Sequence, residues 1–504
     1  MSLLLALTLT WNLARAAETK PRVFRFHVLT EPSNLDPQLT NSASGNYLYN
    51  ALYRGLFVYN SKKGLIPAGA KSCERKKGRL ICHLNTNYKW SNGETIKALD
   101  YVAAFKRLID PQLSSPQSDI LFTLKNAREI WRREKPAEDL GVKAISEDTL
   151  EFEFAADDNE FEFKLIHPAL SPLPPGGFKN KERATELVAS GPYQIAQWKD
   201  GAWIRLTRNP FYPTQLKQNR PDAEVLFVEN DPTAVSLFEA GKLTFLRRIP
   251  AGEIDRFRSK PGFHQIGMAR FDYIGFGPQL NDFRELRNAL VEGVDFPKFL
   301  KLFDTRTEPG CPSLPAKYMD RPYCRKFNLK NAKTSLAKSI KPPKLEFQFS
   351  RMGGDDIARA AEFFQGQWQK NLGLEVELAG QEQTLYLRRL RVDPPSIFRK
   401  GVNLDRPTCL AALEIFSKDH PENFIHFDEP DFERILKRLA STKDLSLKKR
   451  ICREGVEFLL NSNRLIPLGE MHFTIMASPE FTGWDLNDLN QLDLSELSET
   501  PNKK

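Results

Sequence analysis

The chain has 504 residues, of which 41% are hydrophobic and 27% are charged, and this composition excludes a disordered or low-complexity polypeptide. Its length exceeds that of one ordinary hydrophobic core, which predicts two or three domains. The formal net charge of +9 comes from dispersed basic residues without interleaved aromatic residues, which argues against a nucleic-acid-binding protein. A mildly basic surface that favours acidic ligands or a membrane surface is all that the charge supports.

The N-terminus reads MSLLLALTLTWNLARAAETK and predicts a secretory signal peptide over residues 1–17. The apolar run from Leu3 to Trp11 is followed by small residues at positions 14 and 16, which a signal peptidase reads. A short buried helix is the alternative. No later stretch approaches the roughly 18–20 apolar residues of a membrane span, and no cysteine follows the apolar run to carry a lipid anchor. We therefore expect an exported, soluble protein without a lipid anchor.

Strand and helix patterns alternate along the rest of the chain, which predicts an α/β (mixed α+β) fold. Among the helices, residues 98–109 place Val102, Phe105 and Leu108 at the spacing of one buried face. The other main predicted elements are strands at Val23–Val28, Gly141–Ile145, Thr149–Phe154 and Leu374–Leu378, and helices at Phe283–Phe303, Ile357–Leu372 and Lys448–Asn461.

Six cysteines in an exported chain predict disulfide bonds, because extracytoplasmic compartments are oxidising. Metal binding is the alternative reading, but no CxxC or HxxxH spacing supports it, and we expect neither a metal nor a cofactor. The predicted pairs are Cys73 with Cys82 across a hairpin, Cys311 with Cys324 across a Pro-rich loop and, by elimination only, Cys409 with Cys452.

Nine motifs in chain order resemble one family, the extracytoplasmic solute-binding proteins of peptide and nickel ABC transporters, which contains the oligopeptide- and dipeptide-binding proteins. Each motif alone is weak, but their order along residues 23–497 is specific. The motifs are PSNLDP, KWSNGETIKALDYVAAFKRLIDP, GVKAISEDTLEFEF, SGPYQIAQW, RNPFYP, NDFRELRNALVEGVD, GVNLDRP, NFIHFDEPDFERIL and RLIPLGEMHFTIMASPEFTGWDLN.

The resemblance implies two lobes joined by a hinge, with a third domain added to one of them. Ligand would be enclosed as the lobes close, and the closed form would dock on a membrane permease. The implied boundaries are residues 22–49, 190–265 and 470–497 for lobe I, residues 50–189 for the additional domain and residues 266–469 for lobe II.

The same resemblance implies a ligand-binding strand around Gly401-Val402-Asn403-Leu404-Asp405-Arg406-Pro407. Asp405 matches the family aspartate that pairs with the α-ammonium group of a peptide, a role that suits a carboxylate in a dry cleft. Asn403 and Leu404 would lie on a strand that pairs with an extended peptide. Val402 stands where the family has Trp, and Leu404 replaces a small residue, so the pocket should differ in shape. A plain surface ion pair between Arg406 and Asp405 is the alternative.

Two further segments are candidates for ligand contact. Leu39, Thr40 and Asn41 follow the LDP turn where lobe I of the family approaches ligand, although polar turn residues are usually only solvated. Arg399 and Lys400 precede the Asp405 strand and are positioned to receive a ligand carboxylate, although charged residues at a strand entrance are often solvated too.

No GxSxG, HExxH or P-loop motif occurs, so we do not expect an enzyme. The resemblance implies a periplasmic, monomeric binding protein that captures a peptide or peptide-like solute and delivers it to an ABC permease. One alternative is a ligand-sensing or interaction protein with the same fold. Another is a carrier of a nickel- or haem-like metal complex, for which His420 and His426 would be the nearest ligands.

Overall fold

The computed structural model describes residues 22–40, 43–213, 220–303, 314, 316–340, 344–353, 355–418, 420–470 and 472–501. The predicted signal peptide, Asn41 and Cys311 lie outside the described residues. The helices are α1 (Ala43–Leu52), α2 (Ala98–Ile109), α3 (Ala127–Trp131), α4 (Phe161–Lys164), α5 (Asp231–Glu239), α6 (Ile254–Phe257), α7 (Arg284–Glu292), α8 (Phe296–Phe303), α9 (Leu329–Lys338), α10 (Asp355–Leu372), α11 (Gln383–Val392), α12 (Cys409–Glu414), α13 (Pro430–Ser441) and α14 (Leu445–Asn461).

Within the described residues, the strands form three main sheets and three two-stranded ribbons. In chain order they are β1 (Phe24–Val28), β2 (Phe57–Asn60), β3 (Gly64–Pro67), β4 (Ala70–Lys76), β5 (Arg79–Leu84), β6 (Val142–Ser146), β7 (Thr149–Glu153), β8 (Tyr193–Lys199), β9 (Trp203–Arg208), β10 (Ala223–Phe227), β11 (Phe245–Leu246), β12 (Phe263–Gly267), β13 (Arg270–Phe276), β14 (Leu345–Ser350), β15 (Val376–Gln381), β16 (Ile397–Asn403), β17 (Leu465–Pro467), β18 (His472–Ala477), β19 (Phe481–Thr482), β20 (Asp485–Leu486), β21 (Leu492–Asp493) and β22 (Ser498–Glu499). The mixed α/β fold is therefore confirmed.

The largest sheet has seven strands in the order β12-β18-β11-β1-β10-β9-β8. Strand β1 lies parallel to both β10 and β11, so these three strands end at the same edge of the sheet. Alternate residues of β1 share a face, and Phe24 and Phe26 are fully buried there together with Phe245 of β11. We call this sheet and the segments packed on it lobe I.

The second sheet has five strands in the order β15-β14-β16-β13-β17 and is covered on both faces. On one face Phe271 and Tyr273 pack with α12, α13 and α14. On the other face Phe347 packs with Trp368 of α10. We call this sheet with its helices lobe II.

The third sheet, β4-β5-β7-β6, packs against α2, and we call this sheet with the segments that share its core the additional domain. The predicted helix over residues 98–109 is confirmed, because Val102, Phe105 and Leu108 are buried in this core. The Lys97 backbone N–H donates to the Asp100 carboxylate at 2.8 Å, which satisfies one donor at the start of α2.

The predicted single helix over Phe283–Phe303 is wrong, because the structure has two helices there. The N–H of Gly293 donates to the Ala289 carbonyl at 2.9 Å and closes α7. Pro297 then lies in the first turn of α8, where its missing N–H is tolerated. The break was not predicted, because apolar residues recur with the same period on both sides of Gly293.

Two of the predicted disulfides are present. Cys73–Cys82 joins β4 to β5, and Cys409–Cys452 joins the start of α12 to α14 in lobe II. The pairing of Cys311 with Cys324 stays a prediction. Within the described ranges, no helix is both long and apolar enough to cross a membrane.

Candidate functional site

The candidate site begins at one edge of β16 in lobe II. Strand β13 pairs with β16 along its full length, from Ile397 to Asn403. Strand β14 pairs with β16 only at Ile397 and Phe398. In the described part of the chain, no strand continues on the β14 side beyond Phe398. The last part of β16 is therefore an open sheet edge.

The backbone groups that this edge presents follow from the β13–β16 register. The Leu404 N–H, just after β16, donates to the Ala269 carbonyl at 2.9 Å. Alternate residues of an antiparallel strand point their backbone groups to opposite sides. The amides and carbonyls of Gly401 and Asn403 therefore point away from β13, toward the open edge.

The neighbouring side chains shape this edge. Val402 is half-buried and packs against the lobe II core, and Leu404 is buried within that core. Asn403 is exposed, and its Oδ1 accepts a hydrogen bond from Arg270 Nη1 at 3.0 Å. The backbone of Asn403 is thus available at the edge, whereas the N–H of Leu404 is already bonded.

Arg399 lies on β16 beside a buried carboxylate. Its Nη2 donates to Asp272 Oδ1 at 2.6 Å, and Arg270 pairs with the same carboxylate. Although burial opposes ionisation, Arg270 and Arg399 hold the pKa of the Asp272 carboxyl below its usual value. Two guanidinium groups therefore share one carboxylate, which leaves a positive charge at the strand. A Cβ on Gly401 would overlap the Arg270 guanidinium, so glycine is needed at that position.

Asp405 stands just beyond β16, and 41% of its side chain is exposed. Arg406 Nη1 donates to its two carboxylate oxygens at 2.9 and 2.8 Å. Partial burial opposes ionisation of Asp405, but the Arg406 guanidinium, with help from Lys164, holds its pKa below the usual value. Asp405 is therefore an ionised carboxylate with one side paired and the other open.

The Arg406 guanidinium is itself deeply buried, with 3% of its side chain exposed. It bonds Glu414 at 2.6 Å and Glu160 at 2.8 Å in addition to Asp405. Glu160 belongs to the additional domain and also accepts from Thr408 Oγ1 at 2.7 Å. The predicted alternative of a simple Arg406–Asp405 pair is thus incomplete, because Arg406 joins the additional domain to lobe II.

The loop predicted to approach ligand from lobe I is held by the additional domain. Gln117 Nε2 donates to the carbonyls of Pro37 and Thr40 at 2.8 and 2.7 Å. The side chain of Leu39 is exposed, in contrast to the buried Gln38 before it. The loop is therefore fixed by its backbone while Leu39 remains accessible.

The remaining candidate residues are Lys400, His420 and His426, and their side chains are not directed to this edge by any contact among the described residues. Lys400 pairs with Glu422 at 3.3 Å, and burial lowers the pKa of its ammonium group. His420 and His426 line a surface groove, where His420 Nδ1 accepts from the Glu422 N–H at 3.1 Å. Across the described ranges, no group of three histidine, cysteine or acidic side chains is arranged to hold a metal ion.

Sequence reasoning missed Glu160, Glu414 and Asp272 as parts of this site. Glu160 is 246 residues from Arg406 in the chain, and no local pattern marks it as a partner. Asp272 carries a weak signal, because it is an acidic residue inside the otherwise apolar strand FDYIGF.

Comparison with known proteins places the chain in a family. The profile described as "Bacterial extracellular solute-binding proteins, family 5 Middle" matches residues 64–422. The oligopeptide-binding protein OppA of Bacillus subtilis is 23% identical over 88% of this chain and 86% of its own length. The probable deoxycholate-binding periplasmic protein YgiS of Escherichia coli is 25% identical over 93% of this chain and 91% of its own length.

Solved structures show the same fold. The substrate-binding domain of an oligopeptide ABC transporter from Bacillus anthracis superposes with a TM-score of 0.79 at 20% identity, covering 96% of this chain and 99% of that one. OppA of Haemophilus influenzae in complex with RPPGFSPFR gives a TM-score of 0.77 at 20% identity, covering 95% and 99%. Because the family profile spans most of the sequence, this chain belongs to the bacterial extracellular solute-binding proteins of family 5.

Proposed function

We propose that this chain is an exported binding protein that encloses a peptide or peptide-like solute between lobe I and lobe II and delivers it to an ABC permease. The observation that carries the proposal is the open edge of β16 at Gly401 and Asn403, which ends at the half-exposed carboxylate of Asp405. The role is binding and delivery without catalysis.

The edge suits an extended solute, because a peptide can pair with the free backbone groups of an open strand and so add one strand to the sheet. An extended solute beside Gly401 and Asn403 would lie in line with β14, along the part of β16 that β14 does not pair with. Recognition through backbone groups tolerates many side chains. Val402 and, from lobe I, Leu39 and Thr40 would set the shape of the surrounding space.

Asp405 would receive the ammonium end of the solute. A carboxylate has room for about four hydrogen bonds, so the two from Arg406 leave its open side available. Arg406 does not need to move aside, because Glu160 and Glu414 hold it from other directions. Arg399, which shares Asp272 with Arg270, is the lobe II candidate for a solute carboxylate.

The relatives support this reading. OppA of Haemophilus influenzae was solved with RPPGFSPFR, and several other relatives carry oligopeptide- or dipeptide-binding names. We propose a periplasmic location because the names of several relatives call them periplasmic. We also propose a monomeric state and the boundaries of the two lobes and the additional domain that the family resemblance implies.

The test compares short free peptides with N-acetylated copies by calorimetry, after native mass spectrometry has identified what copurifies. Asp405→Asn should weaken binding of a free peptide by about 1.5–3 kcal/mol, the scale of one hydrogen bond to a charged group. The acetylated copy should lose much less. Asp428→Asn is the matched control, because Asp428 is a half-exposed lobe II carboxylate paired with Lys418 at 2.7 Å. Equal affinities of wild type and Asp405→Asn would reject the assignment of Asp405.

The same mass spectrum separates the alternatives. A copurified metal chelate would favour the metal-complex carrier. Copurified deoxycholate would favour a bile-acid solute, the ligand in the name of the relative YgiS. Transport itself is tested by uptake of a bound peptide into cells with and without the cognate permease. Binding without permease-dependent uptake would favour a sensing role.

A further inference from the structure

Arg247 lies at the edge of lobe I where ligand sites of α/β sheets form. It directly follows β11, and β1 runs parallel beside β11, so both strands end on this side. The backbone N–H of Arg247 donates to His27 Nε2 of β1 at 3.4 Å. In open α/β sheets, ligands bind outside the carboxyl ends of the strands.

Arg247 is buried without a countercharge. Only 9% of it is exposed, and its Nε has no hydrogen-bond partner among the described residues. No acidic side chain in the described part of the chain forms an ion pair with it. Among the other buried arginines, Arg54 and Arg406 pair with carboxylates. Arg220 and Arg287 instead donate to the backbone carbonyls of Ser495 and Leu280.

The polar groups around Arg247 are neutral. Its guanidinium reaches the Tyr47 hydroxyl, which donates to Asn490 Oδ1 at 2.6 Å. Burial raises the pKa of Tyr47 to about 12, so this hydroxyl stays protonated. Burial and the nearby Arg247 lower the pKa of His27 to about 3, so this imidazole is uncharged. A buried charge without a partner is unfavourable, which points to an anion supplied from outside the chain.

This part of lobe I also lies next to lobe II. Asn490 belongs to the short segment in which the Asp488 carbonyl accepts from the Ala269 N–H of lobe II at 2.6 Å. Leu489, between them, packs against the cores of both lobe II and the additional domain. Arg247 is therefore close to the junction of the three units.

We propose that the Arg247 guanidinium, beside the Tyr47 hydroxyl, is the donor of an anion subsite in lobe I that receives a carboxylate group of the solute. A guanidinium fork matches a carboxylate with two parallel hydrogen bonds. The proposal rests on the cleft of the proposed function, but it does not require the solute to be a peptide.

The first experiment uses trifluoroacetate as a minimal carboxylate probe, followed by the broadening of its ¹⁹F resonance at constant ionic strength. Wild type should broaden the line saturably, and Arg247→Gln should lower the affinity about tenfold or more. Arg247→Lys keeps the charge and should retain weaker binding. Arg248→Gln is the matched control, because Arg248 is the adjacent, more exposed arginine near Asp231. Equal broadening by wild type and Arg247→Gln would overturn the proposal.

The second readout is the melting temperature of the ligand-free protein. If the Arg247 charge is compensated only by a bound solute anion, Arg247→Gln removes an uncompensated buried charge from the ligand-free protein. This change should raise the melting temperature by about 2–4 °C. An arginine that stabilises the fold would give a decrease, which would contradict the proposal. Saturable trifluoroacetate binding that depends on Arg247, in a protein that binds no peptide, would support the subsite while rejecting the proposed function.

Discussion

The contact between Glu160 and Arg406 offers a direct test of how the additional domain and lobe II come together. The Glu160 side chain is 5% exposed, that of Arg406 is 3% exposed, and Oε2 of Glu160 accepts from Nε of Arg406 at 2.8 Å. Glu160→Gln preserves the shape of the side chain and removes its charge. If the lobes close on solute, this contact should form in the closed protein and separate in the open one.

The size of the effect follows from what remains around Arg406. Removing the partner of an isolated buried charge costs about 3–5 kcal/mol. Here Arg406 keeps Asp405 and Glu414, so the loss is nearer to one charge-assisted hydrogen bond, about 1.5–3 kcal/mol. If this energy is gained only on closure, solute affinity should fall by about 10- to 150-fold.

The assay combines calorimetry of solute binding with the radius of gyration from small-angle X-ray scattering. Glu160→Gln should weaken binding and increase the radius of the solute-loaded protein. Glu162→Gln is the control, because Glu162 pairs with Arg75 inside the additional domain and, among the described residues, forms no ion pair with lobe II. Identical affinities and radii for wild type and Glu160→Gln would refute the reasoning, as would an equal loss in both variants.

Two further predictions concern stability. Gly401→Ala should destabilise the protein by about 1–3 kcal/mol in chemical denaturation, because the new Cβ displaces Arg270, whereas Gly366→Ala on α10 has open space and should be neutral or stabilising. The fully buried His27, with its pKa near 3, stays neutral while the unfolded chain binds a proton below about 6.5. Stability should therefore fall as the pH drops from 7 to 5, by at most about 2 kcal/mol from this residue. His27→Gln should flatten this slope, and a slope equal to that of wild type would contradict the prediction.

Local elements were predictable from the sequence where burial has a clear period. The helix over residues 98–109 was correct because Val102, Phe105 and Leu108 recur on one face. The break at Gly293 was missed because apolar residues continue on both sides of it. A continuous apolar period indicates burial, but it does not reveal where the chain turns.

The site was predictable only where a motif carried it. Asp405 was found through its motif, yet its charge balance depends on Arg406 and on Glu160 of the additional domain. Such pairings are set by tertiary packing and leave no spacing signal. Arg247 carries no such signal either, because Arg247 and Arg248 stand side by side between apolar Phe245-Leu246 and Ile249-Pro250, and only the fold determines which of the two is buried.

The surroundings of Asp405 and Arg247 indicate which end of the solute should contribute more to the binding free energy. Asp405 is half-exposed and already shared with Arg406, so its remaining attraction for an ammonium group is reduced. Arg247 is buried and uncompensated, so an acidic group there would gain from a drier environment. If both proposed subsites hold the same solute, removing its acidic group should reduce affinity more than acetylating its amine. For the same reason, Arg247→Gln should weaken binding more than Asp405→Asn, and the reverse order would indicate that Arg406 leaves Asp405 more of its charge than its geometry implies.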